Sequence, residues 1–301
     1  MSKDFVNILD RSGEELGGML DRALRGKADF LAGRLAPRLE RRTLAMVFEK
    51  PSLRTRVSFE AAMTHLGGHA IYLAPGDIGL GRREPVRDAA RVLGRMCDAL
   101  VARTFAHETV TELARHAPVP VINALSDRAH PCQAMADVMT VIERLGGADG
   151  RTLTFVGDGN NVARSLAALA SRVGMRFVLA CPRGYELEGT FLASLPDGAV
   201  EVCHEPRRGV AEADVVYTDT WVSMGQEDEK AQRRRDFAAF QVNADLLGEA
   251  KHDVLVMHCL PAYRGCEITD DVFEAHAETI FEQAANRLHF QRALLEILLV
   301  G

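Results

Sequence analysis

The stretch Phe48-Glu-Lys-Pro-Ser-Leu-Arg-Thr-Arg-Val-Ser-Phe-Glu60 decides how the rest of the chain is read. It follows an apolar run, Thr43 to Val47, with the make-up of a buried strand. Pro51 breaks that run. From Ser52 onward the apolar residues fall at Phe59, Ala62, Met63 and Leu66, a helical spacing that stops at Gly67-Gly68. Ser52 therefore reads as a helix N-cap, and the N–H groups of Leu53, Arg54 and Thr55 point out of the helix start with the positive end of its dipole behind them. Such an end attracts anions. Two arginines and two hydroxyls in the same turn add forked donors suited to phosphate. A lone S-x-R is also compatible with a capped surface helix, but a strand, a proline and S-x-R-T-R in succession favour phosphate.

Outward from this stretch, the whole chain of 301 residues with 47% hydrophobic content has room for two domains of ordinary size. A net charge of -6 argues against a nucleic-acid surface. No apolar run has the length of a membrane span, and the N-terminus Met-Ser-Lys-Asp-Phe-Val-Asn lacks a signal-peptide core, so a reducing, cytoplasmic setting is expected. The six cysteines, Cys97, Cys132, Cys181, Cys203, Cys259 and Cys266, form no C-x-x-C pair; neither disulfides nor a metal site is expected, since His258, Cys259 and Cys266 match no usual ligand spacing.

Strand and helix patterns alternate on both sides of the organising stretch. Ser12 with Glu14 and Glu15 opens a first helix whose apolar face is Leu16, Met19, Leu20, Ala23 and Leu24. A short strand, His69 to Leu73, is followed by a Gly- and Arg-rich loop, Ala74 to Arg83, and a helix from about Pro85 to Met96. The buried strand from Ala99 to Ala102 delivers Arg103 at its carboxyl end, where ligands collect in open α/β sheets. Arg103 reads as an anion or carbonyl contact or as a surface ion pair. Val119 to Asn123 repeats the strand signal. His130-Pro-Cys-Gln133 then enters a helix, Ala134 to Leu145, with Pro131 suited to its first turn. His130 and Gln133 between them can donate to a carbonyl and pair with an amide, though a His at a helix start also serves as a cap.

Gly146-Gly147-Ala-Asp-Gly150 reads as a domain boundary, dividing residues 1–146 from residues 147–301. Beyond it come a strand from Thr152 to Val156, the turn Gly157-Asp-Gly-Asn-Asn161, and a helix from Val162 to Val173. The turn lacks the third glycine of a dinucleotide fingerprint, and the next strand, Phe177 to Ala180, ends in Cys181-Pro-Arg rather than an acid. A strand from Asp214 to Tyr217 leads to Asp219-Thr-Trp-Val-Ser-Met-Gly225, a stretch able to seat a cationic amino acid. Val254 to Met257 ends in His258-Cys-Leu-Pro261, where Cys259 is a nucleophile, a tuned thiol or packing. Ala285-Asn-Arg287-Leu-His begins a closing helix, apolar from Phe290 to Leu299.

Taken in order, F-E-K-P-S-L-R-T-R, R-T-F, H-P-C-Q, G-D-G-N-N, D-T-W-V-S-M-G, H-C-L-P-A-Y-R-G and A-N-R-L-H span nearly the whole chain and resemble the ornithine carbamoyltransferase family. The resemblance implies two doubly wound parallel α/β domains. The first would bind carbamoyl phosphate and the second ornithine, with a C-terminal helix, about residues 284–299, returning to the first. It implies transfer of a carbamoyl group from carbamoyl phosphate to the δ-amine of L-ornithine, giving L-citrulline and phosphate without metal or organic cofactor, in a homotrimer or a multiple of trimers. A related transferase acting on putrescine, acylated ornithine or aspartate is the alternative.

By the same resemblance Ser52, Leu53, Arg54 and Thr55 cradle the phosphate and Arg287 closes over it. Arg103, His130 and Thr55 polarise the carbamoyl oxygen, Gln133 and the Leu260 carbonyl hold the carbamoyl nitrogen, and Pro131, Cys132 and Cys259 complete the carbamoyl phosphate set. Arg54, Arg103, His130 and Cys259 carry the catalytic roles, while Asn161, Asp219, Ser223 and Met224 match the ornithine positions. Three residues depart from the family pattern: Leu53 stands where many members have Thr, Tyr263 replaces a common His, and Gly79 lies where some members place a Gln that reaches the neighbouring subunit's site.

Overall fold

The computed structural model describes residues 3–81, 83–222 and 227–301. The chain divides into two compact units, Met1–Met139 with Ala285–Gly301, and Thr140–Ala284. The division falls inside a helix, seven residues before the Gly146–Gly150 turn. No described helix is long and apolar enough to cross a membrane.

The first unit is built on a four-stranded parallel sheet of order β2-β1-β3-β4, formed by β1 (Thr43–Phe48), β2 (His69–Leu73), β3 (Ala99–Arg103) and β4 (Val121–Leu125). Its helices are α1 (Gly13–Leu31), α2 (Leu53–His65), α3 (Pro75–Ile78), α4 (Val86–Met96), α5 (His107–His116) and α6 (Pro131–Leu145). At the start of α1, Ser12 and Glu15 form a reciprocal capping box, which satisfies two N–H groups of the first turn. Strands β1 and β3 are apolar because both sheet faces are covered, as in parallel sheets generally. Their register pairs Phe48 with Arg103, so the chain leaving β1 toward α2 starts beside the end of β3. β4 ends opposite Arg103 as well, at Leu125, after a register shift.

Two features differ from the sequence reading. The stretch Ala74 to Arg83, read as a loop, contains α3: Pro75 suits its first turn, the Asp77 carboxylate accepts the Ala74 N–H at 2.7 Å, and Gly79 ends it with φ of 55°. Helix α5 carries no local start signal, because its N-cap is Ala106, which has no capping side chain; the His107 N–H is taken instead by Asp127 Oδ1, 20 residues on, at 2.7 Å.

The second unit holds a five-stranded parallel sheet of order β7-β6-β5-β8-β9, with β5 (Thr152–Val156), β6 (Arg176–Ala180), β7 (Val200–Cys203), β8 (Val215–Thr218) and β9 (Leu255–His258). Around it are α7 (Asn161–Ala170), α8 (Gly189–Leu192), α9 (Pro206–Val210), α10 (Lys230–Asp236), α11 (Ala244–Leu247) and α12 (Asp270–Ala275). Strand β5 is central, and Phe155 stacks on Tyr217 of β8 with ring centroids 5.3 Å apart. The last helix, α13 (Ala277–Leu299), begins earlier than the apolar pattern predicts. The reason is polarity: Gln283, Asn286, Arg287, His289, Gln291 and Arg292 are all buried on it, so its inward face does not read as hydrophobic. The two parallel sheets bear out the doubly wound α/β class.

Candidate active site

The first unit gathers cations at the carboxyl end of its sheet. Ser52 is the N-cap of α2: its Oγ accepts the Thr55 N–H at 3.4 Å and donates to Thr55 Oγ1 at 3.0 Å. Arg287 Nη2 also donates to Thr55 Oγ1, at 2.8 Å, which fixes this guanidinium against the mouth of α2. Leu53 is 75% exposed, so its missing hydroxyl leaves only the backbone N–H to offer. Arg103 is 6% exposed, and its Nε finds no hydrogen-bond partner among the described residues. Burial and the neighbouring guanidiniums of Arg287 and Arg54 push its pKa down to about 10. A buried arginine facing two other arginines is costly unless an anion joins them.

His130 lies just before α6 and is buried; burial, then Arg287, Arg103 and Lys50, hold its pKa well below the usual imidazole range. It is therefore neutral at physiological pH and able to donate one ring N–H. Gln133, one turn along, donates its Nε2 to Asp137 Oδ1 at 2.8 Å, which leaves Oε1 as an acceptor with no partner among the described residues. That orientation suits an incoming –NH2. Cys132 is turned away, its Sγ donating to the Asn123 carbonyl at 3.5 Å, and burial pushes its thiol up to about 12. Its side chain is buried against β4, and Pro131 begins α6.

The second unit places a carboxylate at the end of β8. Asp219 is 8% exposed, and three donors converge on it: Asn160 Nδ2 at 2.8 Å, the Thr220 N–H at 2.8 Å and Cys259 Sγ at 2.9 Å. Asn160 is also the N-cap of α7, accepting from the Val162 and Ala163 N–H groups at 2.9 and 3.0 Å. Asn161 is the first residue of α7 and is half-buried. The chain after Asp219 is held by Arg233, which donates to the Trp221 carbonyl at 3.2 Å and to Asp158 at 2.7 Å. Ser223 and Met224 lie outside the described residues.

Cys259 and Leu260 follow β9, and their turn is braced by a buried pair. The Leu260 N–H donates to His258 Nδ1 at 2.9 Å, so Nε2 carries the ring proton toward Glu267 Oε1 at 3.2 Å; Glu267 Oε1 also accepts the Tyr263 N–H at 2.5 Å. Leu260 itself has φ of 59°, a conformation that costs a non-glycine residue about 1 to 2 kcal/mol and needs such bracing. Among the described residues Asp219, His258 and Cys259 bring three potential metal-ligand atoms within 4.8 Å, yet both ring nitrogens of His258 are already engaged by Leu260 and Glu267. Tyr263, more than half exposed, lines a cavity of about 130 Å³ with Trp221, Arg234 and Cys266.

The sequence reading missed Lys50, Asn160 and the His258–Glu267 brace. Asn160 was legible as an N-cap preceding an apolar helix. Nothing local marks the pairing of Glu267 with His258.

Comparison with known proteins follows the same division. The family profile "Aspartate/ornithine carbamoyltransferase, carbamoyl-P binding domain" matches residues 3–143, and "Aspartate/ornithine carbamoyltransferase, Asp/Orn binding domain" matches residues 149–298. An ornithine carbamoyltransferase of Methanosarcina acetivorans is 49% identical over 98% of each chain. One of Pyrococcus furiosus, described as anabolic, is 48% identical over 99% of this chain and 97% of its own. The solved structure of ornithine carbamoyltransferase from Pyrococcus furiosus covers 100% of this chain and 98% of its own, with a TM-score of 0.96 at 47% identity. The chain belongs to the aspartate/ornithine carbamoyltransferase family.

Proposed function

We propose roles for named residues in a reaction that follows from the full-length relatives: the chain transfers the carbamoyl group of carbamoyl phosphate to the δ-amine of L-ornithine, giving L-citrulline and phosphate. Citrulline made this way serves arginine biosynthesis. The observation that carries the assignment of roles is the cluster of Arg103, Arg287, Arg54 and neutral His130 around the mouth of α2, a cation-rich cradle that calls for an anion.

The N–H groups of Leu53, Arg54 and Thr55, with Ser52, Arg54 and Arg287, receive the phosphate. Arg103, His130 and Thr55 donate to the carbamoyl oxygen, where negative charge grows as the tetrahedral centre forms. Gln133 Oε1 accepts from the carbamoyl –NH2, and the Leu260 carbonyl is assigned to the same group. Pro131 and Cys132 contribute through the backbone that sets His130 and Gln133.

Asp219 receives the α-ammonium of ornithine, with Asn161, Ser223 and Met224 assigned to the rest of that substrate. Cys259, whose proton is directed at Asp219, offers sulfur lone pairs to the δ-amine. The neutral amine attacks the carbamoyl carbon, the bond from that carbon to the phosphate oxygen breaks, and the departing phosphate takes the amine proton. No organic cofactor or metal enters these steps. We further propose a cytoplasmic homotrimer or multiple of trimers, supported by exposed Leu53, Val57, Val92 and Met96 on α2 and α4. Light scattering reads the assembly: a monomeric mass at working concentration overturns it. For the roles, binding of carbamoyl phosphate to Arg54→Ala by titration calorimetry is the test; wild-type affinity in a folded variant contradicts the cradle.

A further inference from the structure

The second unit carries a thiol that the proposed chemistry does not use. Five of the six cysteines are buried, and Cys266, after β9, is half-buried. Its backbone is fixed on both sides: the Cys266 N–H donates to the Tyr263 carbonyl at 2.8 Å, and Gln241 Nε2 donates to the Cys266 carbonyl at 2.8 Å. Arg234 Nη2 on α10 donates to Cys266 Sγ at 3.4 Å. A guanidinium only donates, so the sulfur accepts and keeps a cation beside it. Both side chains line the cavity of about 130 Å³, together with Lys230, Thr220 and Trp221. Neither Arg234 nor Lys230 pairs with a carboxylate among the described residues, and Glu267, the carboxylate on the lining, is engaged by His258 and the Tyr263 N–H. Trp221 is 6% exposed, and its indole N–H finds no partner among the described residues. A buried donor, two unpaired cations and a thiol thus border one space.

We propose that Cys266 is a site of reversible thiolation by acidic low-molecular-weight disulfides, with Arg234 and Lys230 holding the carboxylates of the bound half and the Trp221 indole N–H one of its oxygens. One water needs about 10 to 15 Å³ of such space, so the cavity holds the volume of roughly ten waters, that of a cysteine-containing di- or tripeptide. The exchange balances. Cys266 gives its proton to solvent, its sulfur bonds to one sulfur of the disulfide, the reagent's own S–S bond breaks, and the other half leaves as a thiolate. Cys266 is oxidised and the departing half is reduced. A second small thiol reverses the exchange.

The adduct acts on the segments that border the cavity. Thr220 and Trp221 follow Asp219 directly, and the Thr220 N–H donates to that carboxylate at 2.8 Å. Cys266 precedes Glu267, whose carboxylate braces the turn that holds Leu260. Cys259, in the same turn, donates to Asp219 at 2.9 Å. A molecule fixed between these segments therefore shifts the carboxylate assigned to the ornithine α-ammonium. That consequence rests on the ornithine reading of Asp219, whereas the thiolation site does not. Two cations beside the sulfur also attract an anionic disulfide and repel a cationic one, for a difference in rate on the order of tenfold that salt screens.

The experiment incubates the full-length protein with oxidised glutathione, which is anionic, and separately with cystamine, which is cationic. Each rate is normalised to that of the same disulfide with N-acetylcysteine, and peptide mass spectrometry locates the mixed disulfide. The expected result is an adduct at Cys266 and not at the five buried cysteines, forming on the order of tenfold faster with oxidised glutathione, an advantage that shrinks in high salt and in Arg234→Gln. Emission of Trp221, the only tryptophan in the chain, should change with the adduct and return with dithiothreitol. Ornithine KM should rise severalfold with carbamoyl phosphate affinity unchanged, while Cys266→Ser should keep basal activity and ignore the reagent. Equal normalised rates, or an adduct at another cysteine, overturn the proposal, as does an adduct at Cys266 that leaves the KM of both substrates unchanged. An adduct that forms with the charge preference but raises KM for carbamoyl phosphate alone leaves the site standing and overturns the ornithine reading of Asp219 instead.

Discussion

Replacing Arg103 by Met should stabilise the free protein while disabling it. The guanidinium sits buried beside Arg287 and Arg54, and burial, then those two charges, push its pKa from the ordinary guanidinium range down to about 10. At about 1.4 kcal/mol per decade, that fall corresponds to roughly 3 kcal/mol by which the folded state disfavours the charged side chain. Below pH 10 the group is charged in the folded and unfolded chain alike, so the whole penalty stands at neutral pH; it is relieved only as pH rises above about 10 toward the ordinary guanidinium range. Methionine fills much of the same volume without the charge. A gain of about 2 kcal/mol is expected once lost packing is counted, raising Tm by roughly 4 to 8 °C. Inorganic phosphate should raise Tm of the wild type and of the variant, because the groups assigned to phosphate, Ser52, Leu53, Arg54, Thr55 and Arg287, are unchanged in both. Turnover should fall by about 100- to 1000-fold, the usual loss when one donor to a developing oxyanion is removed. The assay is thermal unfolding with and without phosphate, paired with citrulline formation. A variant that is less stable than the wild type, or that turns over normally, refutes the reasoning and makes Arg103 a structural residue.

Four further outcomes follow from the same geometry. Asp219→Asn should weaken ornithine far more than carbamoyl phosphate, because only ornithine loses a counter-charge; calorimetry of each ligand decides, and equal losses contradict the role. Saturated turnover should rise between about pH 6 and 9 as the δ-amine deprotonates, and Cys259→Ser should lower that curve without abolishing carbamoyl phosphate binding; an unchanged curve makes Cys259 packing only. Ser52→Ala should cost about 1 kcal/mol in denaturant unfolding and raise KM for carbamoyl phosphate, since it removes both a cap and a cradle hydroxyl. Glu267→Ala strands the Tyr263 N–H and the His258 Nε2–H in a buried setting, for a loss of about 2 to 4 kcal/mol by denaturant titration; a neutral substitution would mean the brace does not hold the Leu260 turn.

What was legible in the chain was local chemistry at strand ends. Ser52 read as an N-cap because serine before a helical apolar spacing has little else to do there, and Arg103 and His130 read as site residues because each follows a strand pattern. The weak points were elements whose cause lies elsewhere in the fold. Helix α5 starts without a local cap, its His107 N–H being taken by distant Asp127, and α13 buries Gln283, Asn286 and Arg287 where a periodicity reading looks for leucines. On the ornithine side one residue of the turn was passed over. Asn161 was picked from the turn, whereas Asn160 both caps α7 and reaches Asp219, a contact across 59 residues that no spacing reveals. Lys50 was quoted in the deciding stretch and passed over, because its burial depends on Phe105 and on a register between β1 and β3 that only the folded sheet supplies.

The most direct test of the account is steady-state product analysis with purified protein, carbamoyl phosphate and each amine in turn. L-Ornithine should yield L-citrulline and phosphate in equal amounts, with carbamoyl phosphate affinity lost in Arg54→Ala and ornithine affinity lost in Asp219→Asn. Absence of citrulline with L-ornithine, together with a carbamoylated product from putrescine, acylated ornithine or aspartate, would contradict it.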